Sequence, residues 1–319
     1  MEKYNKAIPR VVIALGGNAL GESPEEQKIK VRATTKPLIE LIKQGNEIII
    51  CHGNGPQVGM INLAFEQAAK ENDRIVAFDL PECTAMSQGY IGFHLQNALQ
   101  AEIRAQKKPW FVATVVTQIE VDREDPAFQN PSKPIGGFYT KVEAEARMEK
   151  DSSLVMKEDA GRGYRRMVAS PKPVRILEKE SIVNMLDNEF IVITCGGGGI
   201  PVVENEDGSF SGISAVIDKD FAAAQLAQAV HADYLYILTA IDRVAINFGT
   251  PDQRDLEKMS VEEAIRYCQE GQFAPGSMLP KVQAAIRFVQ GGENRKAVIA
   301  SLEKAPLAIK GESGTIIYS

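Results

Sequence analysis

Histidine, cysteine and tryptophan are scarce in this chain, and long apolar stretches are missing altogether. Its 319 residues include three histidines, four cysteines and one tryptophan. The cysteines (Cys51, Cys83, Cys195 and Cys268) lie far apart and form no CxxC pair, which argues against a zinc site or a disulfide framework and suits a reducing cytosol. No His, Asp and Glu set has metal-ligand spacing. No run approaches the ~18 apolar residues of a membrane span, and the opening MEKYNKAIPR lacks the apolar centre of a signal peptide. These absences predict a cytoplasmic protein with no membrane partner. With 36 Lys+Arg against 42 Asp+Glu, a formal charge of −6, there is no broad basic face for nucleic acid, although a local phosphate pocket remains open. The common phosphate and hydrolase signatures are absent too. Without a Gly-Lys dipeptide there is no P-loop. GxSxG and HExxH do not occur, and residues 53–59 (GNGPQVG) are off the dinucleotide spacing.

What is present is ordinary globular composition, 44% hydrophobic and 24% charged, enough to bury one large domain or two modest ones. Arg10–Leu15 (RVVIAL) and Glu47–Cys51 (EIIIC) are short, continuous and rich in β-branched residues, as strands covered on both faces are. A third such strand is expected over Trp110–Thr117, and others over Phe190–Thr194, Tyr234–Leu238, Ala297–Ala300 and near Thr315–Tyr318. Helical periodicity marks residues 28–44, with Pro37 as a start or a break, a helix after Gly59 through about Lys70, and then Pro81–Lys108, Ser181–Asp187, Asp218–Val230, 260–269 and 281–290. Repeated βα units predict an α/β fold, a three-layer αβα sandwich around a mainly parallel sheet. The proline-rich stretch 122–138 and residues 159–173 break the pattern, and the reading expects long irregular excursions there.

Three glycine-rich turns follow three buried strands, at Gly16-Gly17-Asn18, Gly53-Asn54-Gly55 and Gly196–Gly199. Ligands of open parallel sheets bind outside the carboxyl ends of strands. Glycine there lets amide groups approach an anion; for any one turn alone tight backbone geometry is the better account, and it is the three together in one sheet that point to an anion or phosphate site. Two lysines add weight. Lys281 follows Pro280 at the start of one helix, and Lys219 lies between Asp218 and Asp220 at the start of another. A cation at a helix N-terminus opposes the macrodipole, and two of them make sense if both face a bound polyanion. The alternative for Lys219 is a surface pair with its acidic neighbours, with Asp218 or Asp220 as a simple N-cap. Lys133 is a third candidate. Arg162, Arg165 and Arg166 read more readily as a solvated loop face.

Several segments, taken in order, resemble the carbamate kinases of the amino-acid kinase superfamily: Ile13–Asn18 (IALGGN), Gly53–Gly59 (GNGPQVG), Ala85–Gly92 (AMSQGYIG), Asn130–Thr140 (NPSKPIGGFYT), Glu158–Pro171 (EDAGRGYRRMVASP), Gly196–Pro201 (GGGGIP), Val216–Asp220 (VIDKD) and Gly276–Lys281 (GSMLPK). The likeness covers nearly the whole chain, and the two middle segments are the most specific because related acylphosphate kinases lack them. It implies a single domain over 1–319 of two lobes, with a small protruding subdomain inserted at 122–172, usually as a homodimer. It implies reversible phosphoryl transfer between ATP and carbamate, giving ADP and carbamoyl phosphate, run toward ATP in arginine breakdown. Phosphoryl transfer is positioning plus charge stabilisation. By this likeness Lys219 and Lys281 contact the transferring and β-phosphates, Lys133 reaches in from the subdomain, and Asp220 orients the lysines. Gly16, Gly17, Gly53 and Gly55 would supply amide donors, with Asn18 and Asn54 beside them. The nucleotide would lie near Thr239, Ala274, Pro275, Gly276 and Met278, and Mg²⁺ would be held by phosphates and water. The chain departs from the family's usual residues at Ala240, Phe248 and Gly137. The alternative is a divergent paralogue, phosphorylating another small carboxylate or binding nucleotide as a regulator.

Overall fold

Alternate residues of the central strands bury into different cores, and this dictates the layers. In the computed structural model, which describes residues 8–17, 20, 21, 23–159 and 161–319, every residue of Arg10–Leu15 is buried. Val12, Ala14, Ile49, Cys51, Leu235 and Ile237 face one apolar cluster with the helices Lys219–Ala229 and Met278–Gln290. Val11, Ile13, Leu15, Ile48, Ile50 and Leu238 face the other, with Pro24–Lys43 and Leu80–Ala105. A period of two with both faces apolar is the mark of a sheet covered on both sides. The expected three-layer αβα sandwich is the fold.

The sheet has eight strands in the order Lys258–Ser260, Thr315–Tyr318, Lys296–Ser301, Tyr234–Thr239, Arg10–Leu15, Glu47–His52, Phe190–Ile193 and Phe111–Thr114. Six neighbours run parallel, and the first two strands run against them. Arg10–Leu15, Glu47–His52 and Phe190–Ile193 are adjacent, so their three glycine turns emerge side by side from one edge. Trp110–Thr117 was expected to be a buried strand. Only Phe111–Thr114 forms a strand, and it is not a buried one: it lies at the sheet's edge with Phe111 exposed and Val112 alone buried. Pro37 neither starts nor breaks its helix, which runs unbroken from Pro24, capped by Ser23. A helix-interior proline costs one backbone bond, and this 20-residue helix retains the apolar face that packs it on the sheet.

The described residues of 122–172 form regular elements where irregular excursions were expected. Their flanking strands Gln118–Val121 and Pro173–Ile176 pair antiparallel and form a neck. Between them, Lys133–Tyr139, Tyr164–Val168 and Val155–Glu158 make a three-stranded sheet. Lys141–Lys150 adds a helix with a Thr140/Glu143 capping box. The small sheet lies against the helix Gly55–Glu71 at a glycine contact. A Cβ on Gly59 would stand 2.2 Å from the Gly136 nitrogen, and Gly136 has φ +71°. Only glycine at both places permits that approach, and it holds Lys133 over the glycine turns.

Candidate active site

The helices starting at Lys219 and Met278 pack on one another, and buried alanines at 222, 223 and 224 keep the first of them close to the sheet. Their N-termini therefore meet. Asp220 lies between them and accepts from both lysines: Lys219 Nζ to Oδ1 at 2.9 Å and Lys281 Nζ to Oδ2 at 2.8 Å. The Asp220 side chain is 4% exposed. Burial alone would raise its carboxyl, but the two ammonium groups outweigh burial and hold it well below the usual carboxylate range. Burial pushes the Lys219 ammonium down despite Asp220. At Lys281 burial works the same way, yet Asp220 and Asp218 carry it above its ordinary value. The helix begins at Met278, so Pro280 is its third residue and not the first. Proline is tolerated there because first-turn amides have no acceptor within the helix.

Lys133 comes from the small sheet and pairs with Asp218. Asp218 also caps the helix below, accepting from the Asp220 amide at 2.9 Å. Three lysines distant in sequence thus converge on an Asp-Lys-Asp helix start. The surface pairing considered for Lys219 does not hold, since its side chain is only 12% exposed. The sequence offers Asp218 as an acidic neighbour of Lys219 or an N-cap, and its pairing with Lys133, 85 residues away, leaves no local signal. Arg165 was also missed. It lines the same cavity of about 410 Å³ as Lys133 and Lys219, anchored by Gly136 O at 3.1 Å and Asp159 Oδ2 at 3.1 Å. Arg166, by contrast, ties the small sheet to Asn62 and Glu66.

The glycine turns floor this cavity, but not every expected donor is available. Gly16 N donates to Leu238 O at 3.1 Å and Gly53 N to Leu15 O at 3.3 Å, so the sheet consumes both. The register leads the chain straight from the strands into those bonds. Gly17 and Gly55 line the cavity, and their amides have no acceptor among the described residues. Gly53 and Asn54 line it with them, as does Gly197. Asn18 lies outside the described residues. At Gly197, φ is +67° and a Cβ would stand 2.1 Å from Asn54 Nδ2, so this turn needs glycine on two counts.

His52 sits beneath this floor, 1% exposed. Its Nδ1 is 3.0 Å from Gly53 O, which makes the ring a neutral donor. Burial pushes its pKa down to about 4 from 6.5. Between those values the unfolded chain holds a proton that the folded chain does not. Stability therefore rises with pH through the window and is lost as pH falls through it, by about 3 kcal/mol across the whole span. Denaturant midpoints followed from pH 6.5 to 4 are expected to fall more steeply for the wild type than for His52→Asn. Equal slopes would remove His52 from the acid response.

A second cavity of about 720 Å³ opens beside the first, lined by Ala240, Phe248, Ala274 and Met278 among others. Pro275 and Gly276 line the first cavity, so residues 274–278 form the partition. Thr239 ends its strand without lining either space, and Ala240 takes that place. Phe248 is 76% exposed at the second cavity. The described residues hold no group of three or more His, Cys, Asp or Glu placed to bind a metal ion, and no helix among them is long and apolar enough to cross a membrane.

A model of the amino acid kinase family matches residues 9–301. The chain is 53% identical over 313 residues to the carbamate kinase of Clostridium perfringens, covering 97% of this chain and 99% of that one. It is 53% identical over 310 residues to the carbamate kinase-like protein YqeA of Escherichia coli, covering 97% and 98%. Among solved structures, carbamate kinase from Giardia lamblia bound to AMP-PNP matches with a TM-score of 0.88 at 41% identity, covering 98% and 99%.

Proposed function

The chain belongs to the amino acid kinase family, and within it to the carbamate kinases, and we propose that it moves a phosphoryl group reversibly between ATP and carbamate. It is a phosphotransferase. The observation that carries the substrate assignment is the convergence of Lys133, Lys219 and Lys281 on Asp218 and Asp220 above amide-lined glycine turns.

A carbamate oxygen forms its bond to the γ-phosphorus as the bond to the β–γ bridging oxygen breaks, and ADP leaves with that electron pair. Carbamate is already an anion, so no proton changes hands and no general base is needed. Charge accumulates on the transferring group and the leaving oxygen. Lys219 and Lys281 neutralise it from the helix side, Lys133 from the subdomain side. Asp220 holds the first two ammonium groups at fixed spacing. The amides of Gly17 and Gly55 face the acceptor and the transferred group. The second cavity takes the base and ribose, with Ala274 and Met278 in its wall, and the phosphates pass Pro275 and Gly276. The Mg²⁺ implied by the resemblance would be held by the nucleotide's phosphates and water, and would supply further neutralisation of the phosphate charge there. Both site carboxylates are engaged by lysines, and no step is assigned to metal ligation by the protein.

On the same likeness the enzyme is a cytoplasmic homodimer with residues 122–172 as its subdomain, making ATP at the end of arginine breakdown. A kinase for another amino-acid carboxylate is less well supported. By the same family likeness, kinases of that kind would carry a lysine where this chain has Ala14, a fully buried residue of the central sheet. The test is ATP formation by purified protein given ADP, Mg²⁺ and carbamoyl phosphate. Folded protein that forms no ATP would overturn the reading.

A further inference from the structure

Asn54 is the N-cap of the helix Gly55–Glu71, yet its side chain makes no capping bond. An asparagine there ordinarily accepts from an amide of the first helical turn. This one is committed elsewhere. Its Nδ2 donates to Ser87 Oγ at 2.8 Å, and Ser87 Oγ donates to the Thr84 carbonyl at 2.7 Å. A hydroxyl has one proton, and a carbonyl oxygen only accepts. The Ser87 proton is therefore spent on Thr84, and Ser87 can only accept from Asn54. That fixes which way the amide faces. Asn54 Oδ1 is left without a donor among the described residues.

Asn54 is 3% exposed, lines the cavity and is held against Gly197. It presents a single immobilised acceptor among the donors of Lys133, Lys219 and the glycine amides. The donors read carboxylate and phosphate oxygens, which carbamate shares with every small carboxylate. An acceptor reads an N–H. Among the acceptor substrates such a site admits, carbamate carries an amino group where acetate carries a methyl. A methyl placed there would leave Oδ1 buried and unpaired, a penalty that discriminates well.

We propose that Asn54 Oδ1 accepts a hydrogen bond from the amino group of carbamate and of carbamoyl phosphate, with Ser87 as the positioning residue that sets its orientation. This rests on the phosphotransfer reading above. It gives the segment Ala85–Gly92 a part in specificity, although its helix contributes no side chain to the cavity wall.

The test compares ATP formation from ADP with carbamoyl phosphate and with acetyl phosphate. Acetyl phosphate is measured both as substrate and as competitor, so that a preference ratio is obtained either way. Wild type should prefer carbamoyl phosphate. In Asn54→Leu the ratio should fall about 10²-fold, through the carbamoyl phosphate arm. In Ser87→Ala the amide is free to turn over, and the ratio should fall about 10-fold. Circular dichroism and thermal melting confirm folding. If Asn54→Leu does not fold, the Ser87→Ala ratio decides. An unmoved ratio, or equal loss with both substrates, overturns the assignment while leaving the kinase reading in place. Wild type that makes no ATP from carbamoyl phosphate would strike that reading instead.

Discussion

Lys219→Met and Lys281→Met are each expected to lower kcat by about 10²–10³, the usual size for removing one preorganised group that stabilises charge in the transition state. Both should remain folded, for a reason visible in the charge count. Two ammonium groups flank one carboxylate at Asp220, so the buried cluster carries an excess positive charge before any phosphate binds. Removing one lysine leaves a matched ion pair with the other. The fold tolerates that, and the migrating phosphoryl group does not. KM for ADP should move less than kcat, because the bond is strongest when charge is spread over the transferring oxygens. The ATP-formation assay and denaturant midpoints measure the two effects separately. Full turnover in either variant would remove the role assigned to its lysine.

The central sheet and this lysine pair were legible in the sequence because both depend on local pattern. RVVIAL and EIIIC can bury both faces of a strand whatever surrounds them. Lys219 and Lys281 stand where the macrodipole disfavours a cation, and that local contradiction asks for an anion. The 122–172 segment was not legible as structure. Its strands are short, and Pro134, Gly136 and Gly137 interrupt the one that carries Lys133. Pro134 is tolerated there because that strand is an edge of its sheet. Arg165 and Arg166 look alike in sequence, but one lines the cavity and the other braces the subdomain against Glu66. Adjacent residues of a strand face opposite ways, and only the register Ile135↔Arg166 tells which faces inward. The amides of Gly16 and Gly53 were misjudged for a related reason. Glycine marks where a backbone can approach a ligand, but the bonds to Leu238 and Leu15 are set by neighbouring strands far off in sequence.

Asp220→Asn is expected to do the opposite of the lysine substitutions to the fold, and comparable damage to the rate. It leaves two ammonium groups, 12% and 14% exposed, without a carboxylate between them. Unpairing buried charge costs about 3–5 kcal/mol, so the denaturant midpoint should drop sharply at neutral pH. The pH response should also move from the acid to the alkaline range. In the wild type the depressed Asp220 carboxyl contributes stability above its unfolded value of 3.8, which is lost only as pH falls toward the folded value. In the variant the relevant group is Lys219, already lowered by burial against the pull of Asp220. With that pull gone its folded pKa lies lower still. The unfolded chain then binds the extra proton over the range up to 10.5, and stability rises as pH increases through it. Alkaline buffer should therefore restore part of the lost midpoint. It should not restore turnover, because the form that regains stability has a neutral amine where the phosphoryl group needs a cation. A variant whose rate and stability recovered together at alkaline pH would show that Asp220 acts on the fold alone.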